Sequence, residues 1–262
     1  MKFVINTGTY YVITGTWIII SLIIFFALLK VTAPYGRHTR QGWGPVLSER
    51  IGWLLMEFPS VAVMPILFAL SPAVGTTVPL LFLLLWELHY INRTFIYPFR
   101  IRGNQKLMPL FVALMAFFFT IVNGYLNGVY IFYLADKYNL RWLGNPRFLG
   151  GLTIFFTGFF INQVSDRILR NMRRKNEDAS SYDGRYGIPE GFLFERVSCP
   201  NYFGEMVEWL GWAVLTWSLA GLAFFVWTAA NLIPRALSHH RWYNSVFDQY
   251  PEKRYAVIPY VL

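Results

Sequence analysis

Apolar residues in this chain come in long blocks, separated by short polar stretches that carry most of the Lys and Arg. A membrane-spanning α-helix needs ~20 mostly apolar residues. The blocks therefore predict seven membrane helices: Tyr10–Leu29, Ile51–Leu70, Val78–Tyr97, Leu107–Leu134, Phe148–Arg170, Tyr202–Leu219 and Ala220–Leu237. The last two are joined tightly around Ser218–Gly221, and Pro59 and Pro65 are expected to kink the second. The expected fold is an all-α integral membrane protein of one domain, 1–262, with a long cytoplasmic loop at about 171–201 as a candidate cap.

Polar residues interrupt the blocks at helical spacing. Asn162, Asp166, Arg170 and Arg173 run i, i+4, i+8, i+11 in the fifth span. Glu87, Tyr90, Arg93 and Tyr97 form a stripe in the third, Asn201, Glu205 and Glu208 one in the sixth, and Arg235, His239 and Tyr243 one in the seventh. Glu57 adds a carboxylate about six residues inside the second span, ~10 Å deep. A charge at a helix centre costs ~2.5–3.5 kcal/mol on insertion scales, so these carboxylates are not expected to face lipid. Each could serve as a helix-to-helix ion pair, and a plain ion pair is the reading for Arg170. All the stripes, however, point to one side of the membrane.

Charge sets that side. Of 23 Lys and Arg, 18 fall in the loops after spans one, three and five and in the C-terminal tail; four lie on the opposite side and Arg93 lies within a span. The positive-inside rule then puts the N-terminus outside, and the C-terminus and the stripes at the cytoplasmic face. Composition agrees with a membrane protein: 55% hydrophobic, 14% charged, mean hydropathy +0.39, against about 25% charged in soluble domains. The +9 net charge sits between apolar runs, so no nucleic-acid partner is expected. The first block lacks a small-residue cleavage site and reads as a retained span. The single cysteine, Cys199, excludes an intrachain disulfide.

The stripes define a polar site with an Arg-rich outer end and a carboxylate-bearing inner end. Arginine binds phosphate bidentately. A dinucleotide fits, with phosphates near Arg93, Arg102, Arg173 and Arg235 and the nicotinamide against Asn162, Asp166, Asn201 and Glu205. Tyr97, on the Arg93 stripe, joins the cofactor-lining set. No G-x-G-x-x-G follows a strand, so a Rossmann domain is not the means. No metal is expected: His239 and His240 are adjacent, and His38 and His89 are remote in sequence. Glu57 and Tyr90 are the deepest polar pair. They could donate hydrogen bonds to a carbonyl whose oxygen gains charge, or simply link spans two and three. The aromatic surroundings, among them Trp53, Phe119 and Trp227, read either as core or as a lipid pocket.

The chain resembles the steroid 5α-reductase family over nearly its whole length. The matching stretches are PYGRHT (Pro34–Thr39), EFPS (Glu57–Ser60), LHYINRTF (Leu88–Phe95), INQVSDRILRNMR (Ile161–Arg173), YGIPEGFLFERVSCPNYFGEMVEW (Tyr186–Trp209) and RALSHHRWY through DQYP to IPYVL at the end. Within the family it looks most similar to the type-two enzymes, as a prokaryotic member, which implies a bacterial inner membrane. The resemblance implies NADPH-dependent reduction of the 4,5 double bond of 3-oxo-Δ4 steroids by a monomer in the bilayer. Glu57 and Tyr90 match positions that hydrogen-bond the 3-oxo group. Asn162, Asp166, Arg173, Tyr186, Asn201, Glu205, Arg235, His239 and Tyr243, with Tyr35 and Arg93, match cofactor-lining positions. Trp53, Phe119 and Trp227 fall where the family builds its steroid pocket.

Two departures mark this chain. Met56 stands where the steroid reductases carry glutamine, and the loop NEDASSYDGRYG is longer and more polar. Rival expectations are an S-adenosylmethionine-dependent isoprenylcysteine or lipid methyltransferase, a reductase of a non-steroid lipid enone, and a transporter. The last would place its site between repeats near the midplane, and no repeats are seen.

Overall fold

The computed structural model describes residues 6–100 except 39 and 41, then 107–175 and 187–262; the side chains of 173–175 lie outside the description. Among the described residues seven long helices follow in order: α1 (Thr7–Lys30), α2 (Glu49–Ala69), α3 (Thr77–Ile91), α4 (Leu110–Val129), α5 (Pro146–Lys175), α6 (Pro200–Thr216) and α7 (Leu219–Val246). Of these, α1, α2, α4 with its extension, α5 to Met172, and α7 are long and apolar enough to cross a membrane. Helix α3 ends as an α-helix after 15 residues and continues through a π turn, Asn92–Ile96, into Tyr97–Arg100. Helix α6 has 17 residues and carries two carboxylates.

Helix α1 buries only Tyr10, Thr14 and Ser21 and exposes Val12, Ile19, Ile23 and Phe26. An apolar exterior of that kind is stable against acyl chains rather than water. Helix α2 runs through Pro59 and Pro65 without interruption. Proline removes the ladder bonds to Leu55 O and Val61 O, and other carbonyls of the same helix accept from neighbouring helices: Thr120 Oγ1 donates to Met56 O (2.8 Å) and Trp86 Nε1 to Ser60 O (3.0 Å).

Helices α5 and α6 touch backbone to backbone. A Cβ added at Gly158 would lie 2.1 Å from Glu208 N, and one at Gly204 2.5 Å from Asn162 N. Gly211 against Phe155 and Gly151 against Leu215 show the same contact about one and two turns away along the pair. In a bilayer, where lipid removes the hydrophobic drive between helices, close approach through small residues supplies the packing. This contact fixes Asn162 and Asp166 of α5 against Asn201 and Glu205 of α6.

The core beside the site is aromatic: Trp86, Trp209, Trp212, Phe82, Phe155 and Phe224 are all buried. Three boundaries differ from the expectation. The fourth span begins at Leu110, because Leu107–Pro109 is a strand, β2, paired antiparallel with β1 (Val46–Ser48) in the register Val46↔Pro109. So the fold is helical with one short ribbon. The α6–α7 break falls at Trp217, in the left-handed region (φ 46), with Ser218 Oγ capping Gly221 N (2.9 Å). The final helix runs nine residues past Leu237, to Val246, carrying His239 and Tyr243 on helix.

Candidate active site

A cleft opens where the PYGRH turn, the end of α3, α5, the start of α6 and α7 meet. Tyr35, Arg37, Trp53, Arg93, Tyr97, Asp166, Arg170, Asn201, Tyr202, Arg235, His239 and Tyr243 line it. The start of α6 contributes more than side chains. Cys199 caps it without a side-chain hydrogen bond, Pro200 is its first residue, and Cys199, Asn201 and Tyr202 border the cleft, so the N-terminal end of the helix lies at the cleft wall.

At the outer end stands Arg235, buried on α7. Its Nε donates to Tyr202 Oη (3.0 Å), one Nη2 bond goes to Tyr35 O (3.3 Å), and its guanidinium lies 3.5 Å from the Tyr35 ring centroid. Gly36 lets this arginine approach: its φ is +64°, and an added Cβ would lie 3.3 Å from Arg235 Nη2. The remaining nitrogen, Nη1, is buried without a hydrogen-bond partner among the described residues. A buried guanidinium donor left open in a cleft is a place for an anion.

Beside it, Tyr202 Oη meets His239 Nε2 (3.1 Å), and His239 Nδ1 meets His38 Nε2 (3.0 Å), the two imidazoles stacking at 4.9 Å. Burial and the cations Arg235, Arg37, Arg241 and Arg40 push His38 down to about 4, so it is neutral at neutral pH. Arg37 covers the Tyr243 ring (4.7 Å) and donates to its hydroxyl (3.2 Å). The tail braces this wall: Tyr250 stacks on Tyr243 (5.1 Å) and its hydroxyl meets Ser198 Oγ (2.6 Å).

The middle is amide and carboxylate. Asn162 Nδ2 donates to Asn201 O (3.1 Å), and Asn201 Nδ2 donates to Asp166 Oδ1 (3.3 Å). Arg93 closes the inner end. Its Nε reaches Glu57 Oε1 (3.4 Å), its Nη2 reaches Glu205 Oε2 (3.7 Å), and it covers Trp53 (4.5 Å) and Tyr97 (5.1 Å). It sits in the π turn, a helix irregularity frequent at functional sites. The Trp53 indole N–H, on the cleft wall, has no partner among the described residues.

A scan of family models matches the one described as 3-oxo-5-alpha-steroid 4-dehydrogenase to residues 106–262. Among curated proteins, Steroid 5-alpha-reductase DET2 of Gossypium hirsutum is 42% identical over 250 residues, covering 94% of this chain and 95% of the relative. This chain belongs to the steroid 5α-reductase family. The same-named protein of Arabidopsis thaliana is 43% identical over 244 residues (89% of this chain, 90% of the relative). 3-oxo-5-alpha-steroid 4-dehydrogenase 1 of Bos taurus is 41% identical over 246 residues (92% of both). The steroid 5α-reductases are oxidoreductases, which sets aside the methyltransferase and transporter expectations for the family assignment.

In this family member, Tyr35, Arg93, Tyr97, Asp166, Asn201, Arg235, His239 and Tyr243 share the cleft as expected from sequence. Asn162 and Glu205 lie just beneath it. Arg102 and Tyr186, the side chain of Arg173, and the loop NEDASSYDGRYG up to Tyr186 lie outside the described residues. Some readings need correcting. Glu87 does not line the cleft with Arg93 and Tyr97 of its stripe, and its buried Oε1 has no hydrogen-bond partner among the described residues. Arg170 lines the cleft and makes no ion pair with a described residue. Glu57 takes its hydrogen bond from Arg93 and makes none with Tyr90, so the pair does not link α2 and α3 directly. Met56, in the glutamine position, packs with Trp53, Met108 and Ala113.

The aromatic residues divide. Trp53 belongs to the cleft. Phe119 and Trp227 lie 5.1 Å apart with Trp17, whose carbonyl accepts from Trp227 Nε1 (2.8 Å). Phe224 joins this group to Trp209 (4.1 Å) and Trp86 (5.4 Å), which flank Tyr90. Sequence reasoning missed Arg37, His38 and Tyr202. Their signal was the apparent isolation of His38, misread because distance along the chain was taken for distance in space.

Proposed function

We propose that this protein reduces the 4,5 double bond of 3-oxo-Δ4 steroids with NADPH, as a seven-span membrane enzyme with its cofactor cleft toward the cytoplasm. The observation that carries this reading is a single cleft. Its outer end holds an open buried guanidinium, Arg235 Nη1, and its inner end holds Arg93 between two carboxylates. The donor set fits a dinucleotide. Arg235, Arg170 and the α6 N-terminus suit phosphate, and Tyr35 and Tyr243 offer rings beside it. Asn162, Asp166, Asn201 and Glu205 offer both donors and acceptors to a carboxamide.

Bound NADPH would supply the hydride that adds to the enone β-carbon. Glu57 and Tyr90 hydrogen-bond the 3-oxo group and stabilise the charge that develops on its oxygen while the α-carbon gains a proton. The Trp86, Trp209, Phe224, Phe119 and Trp227 surfaces exclude water around the apolar substrate. Trp53 meets substrate at the cleft wall. The excess of Lys and Arg in the alternate loops supports the orientation, and α3 and α6 complete the seven spans as the two polar walls of the site. Names of the plant and mammalian relatives support the steroid class.

The test is purified protein with NADPH, a panel of 3-oxo-Δ4 steroids and product analysis. NADPH-dependent loss of enone absorbance and a 5α-dihydro product are expected. Binding of S-adenosylmethionine without NADPH would reverse the reading.

A further inference from the structure

A second polar pair lies deeper than the cleft, and the reaction above does not use it. His89 on α3 and Glu208 on α6 are buried, with Nδ1 2.8 Å from Oε1. His89 lies one turn before Arg93, and Glu208 lies about one turn after Glu205. The two helices therefore face each other with two rungs, His89–Glu208 and Arg93–Glu205, and α2 adds Glu57 on the far side of Arg93. The second oxygen of Glu208 has no partner among the described residues. A buried carboxylate with one bond needs a reason.

The charges supply one. Arg93 faces Glu57 and Glu205 at 3.4 and 3.7 Å, with Asp166 of α5 and Tyr97 also in electrostatic reach. Glu57 feels Arg93, His89, Glu205 and Tyr90. Helix α4, packed on the other side of α2, carries no charged residue. One guanidinium thus serves more than one carboxylate in an apolar interior. Like-charged carboxyl groups in such a place cannot all ionise, and one proton stays. His89 would be the second positive charge able to displace that proton, were it not held by Glu208.

The geometry points to His89–Glu208 as a positioning pair: Glu208 holds the charge of His89, so that Glu57 keeps the proton it donates to the substrate oxygen. This rests on the role given to Glu57 above. It assigns neither residue a contact with substrate. It explains why a carboxylate is buried beside a histidine.

The test is kcat against pH, at saturating NADPH and steroid, for the parent, Glu208→Gln and the double variant Glu208→Gln/His89→Gln. Neutralising Glu208 leaves the His89 cation without its own carboxylate, and it then favours the ionised form of Glu57. The alkaline limb of the profile should move about one to three pH units lower in the single variant. The double variant, with no imidazole, should return the limb to the parent position. An unmoved limb in Glu208→Gln, or a double variant shifted as far as the single, overturns the inference, since a merely structural role lowers kcat at every pH alike. Should Glu208→Gln fail to fold, infrared spectra decide. The parent should show a protonated-carboxyl band that vanishes in Glu57→Gln, and its absence from the parent sinks the idea. Full turnover by Glu57→Gln instead overturns the role given to Glu57 under the proposed function, a result separable from the limb shifts.

Discussion

His38 and His239 stand 201 positions apart in the chain, and their ring nitrogens lie 3.0 Å apart. One must donate and the other accept, so doubly protonating the pair breaks the bond. Their neighbours Arg37, Arg40, Arg235 and Arg241 disfavour the extra charge as well.

A pH dependence follows. The folded protein holds His38 near 4, against an ordinary value of 6.5. The unfolded chain therefore takes up the proton first as pH falls. The contribution of His38 to stability is complete above about 6.5 and lost as pH falls toward 4. Thermal unfolding in detergent should show Tm falling across this window, and His38→Gln should flatten that slope.

Arg235 is held by Tyr202, the Tyr35 carbonyl and the Tyr35 ring, leaving Nη1 for a ligand. Lysine has no planar fork and cannot keep these contacts together. Hydrogen bonds to charged groups contribute ~1.5–3 kcal/mol. Arg235→Lys should weaken NADPH binding about ten- to a hundredfold, read by fluorescence titration. Unchanged affinity would remove Arg235 from the cofactor site.

Glu57→Gln and Tyr90→Phe remove the acid and the phenol assigned to the 3-oxo group. Loss of one such donor typically costs about 10²–10³ in kcat. Each variant should lose turnover on that scale while keeping NADPH affinity and Tm. Parent-like kcat in both would show that the oxygen is held by other groups.

The α5–α6 contact leaves no room for a methyl group at Gly158, where the obstruction is backbone of Glu208 and Gly204. Overpacking of this kind costs ~1–3 kcal/mol. Gly158→Ala should lower Tm and displace Glu208 and Asn162. Gly150→Ala, with nothing within 4 Å of its added Cβ, is the control and should leave Tm unchanged.

Burial pushes the Cys199 thiol up to about 12, outweighing Arg37 and Arg235 nearby. The thiolate is the reactive form. As the only cysteine, it should resist alkylation by iodoacetamide at pH 8 in the folded protein and react on denaturation, followed by intact mass. Rapid labelling of the native protein would contradict its burial.

The sequence by itself determined the elements and most of the wall residues. Lipid demands long apolar helices, and a charge is costly in a span. Asn162, Asp166, Arg93, Glu205 and Arg235 were therefore conspicuous by position, and their stripes aimed at one side. The matched stretches added Tyr35. The tertiary structure decided what no periodicity encodes, namely which stripes touch. Arg93 bridges Glu57 and Glu205 because a π turn and two neighbouring helices bring them together. Glu87, on the same stripe by spacing, is not among the residues that line the cleft. His38 and Tyr202 joined the site because the turn after α1, the start of α6 and α7 meet there. The pairing of His89 with Glu208 depends on glycine contacts that seat α6 on α5. Those are distances across space, fixed by which backbones approach, and a single chain of letters specifies them only through the fold it makes.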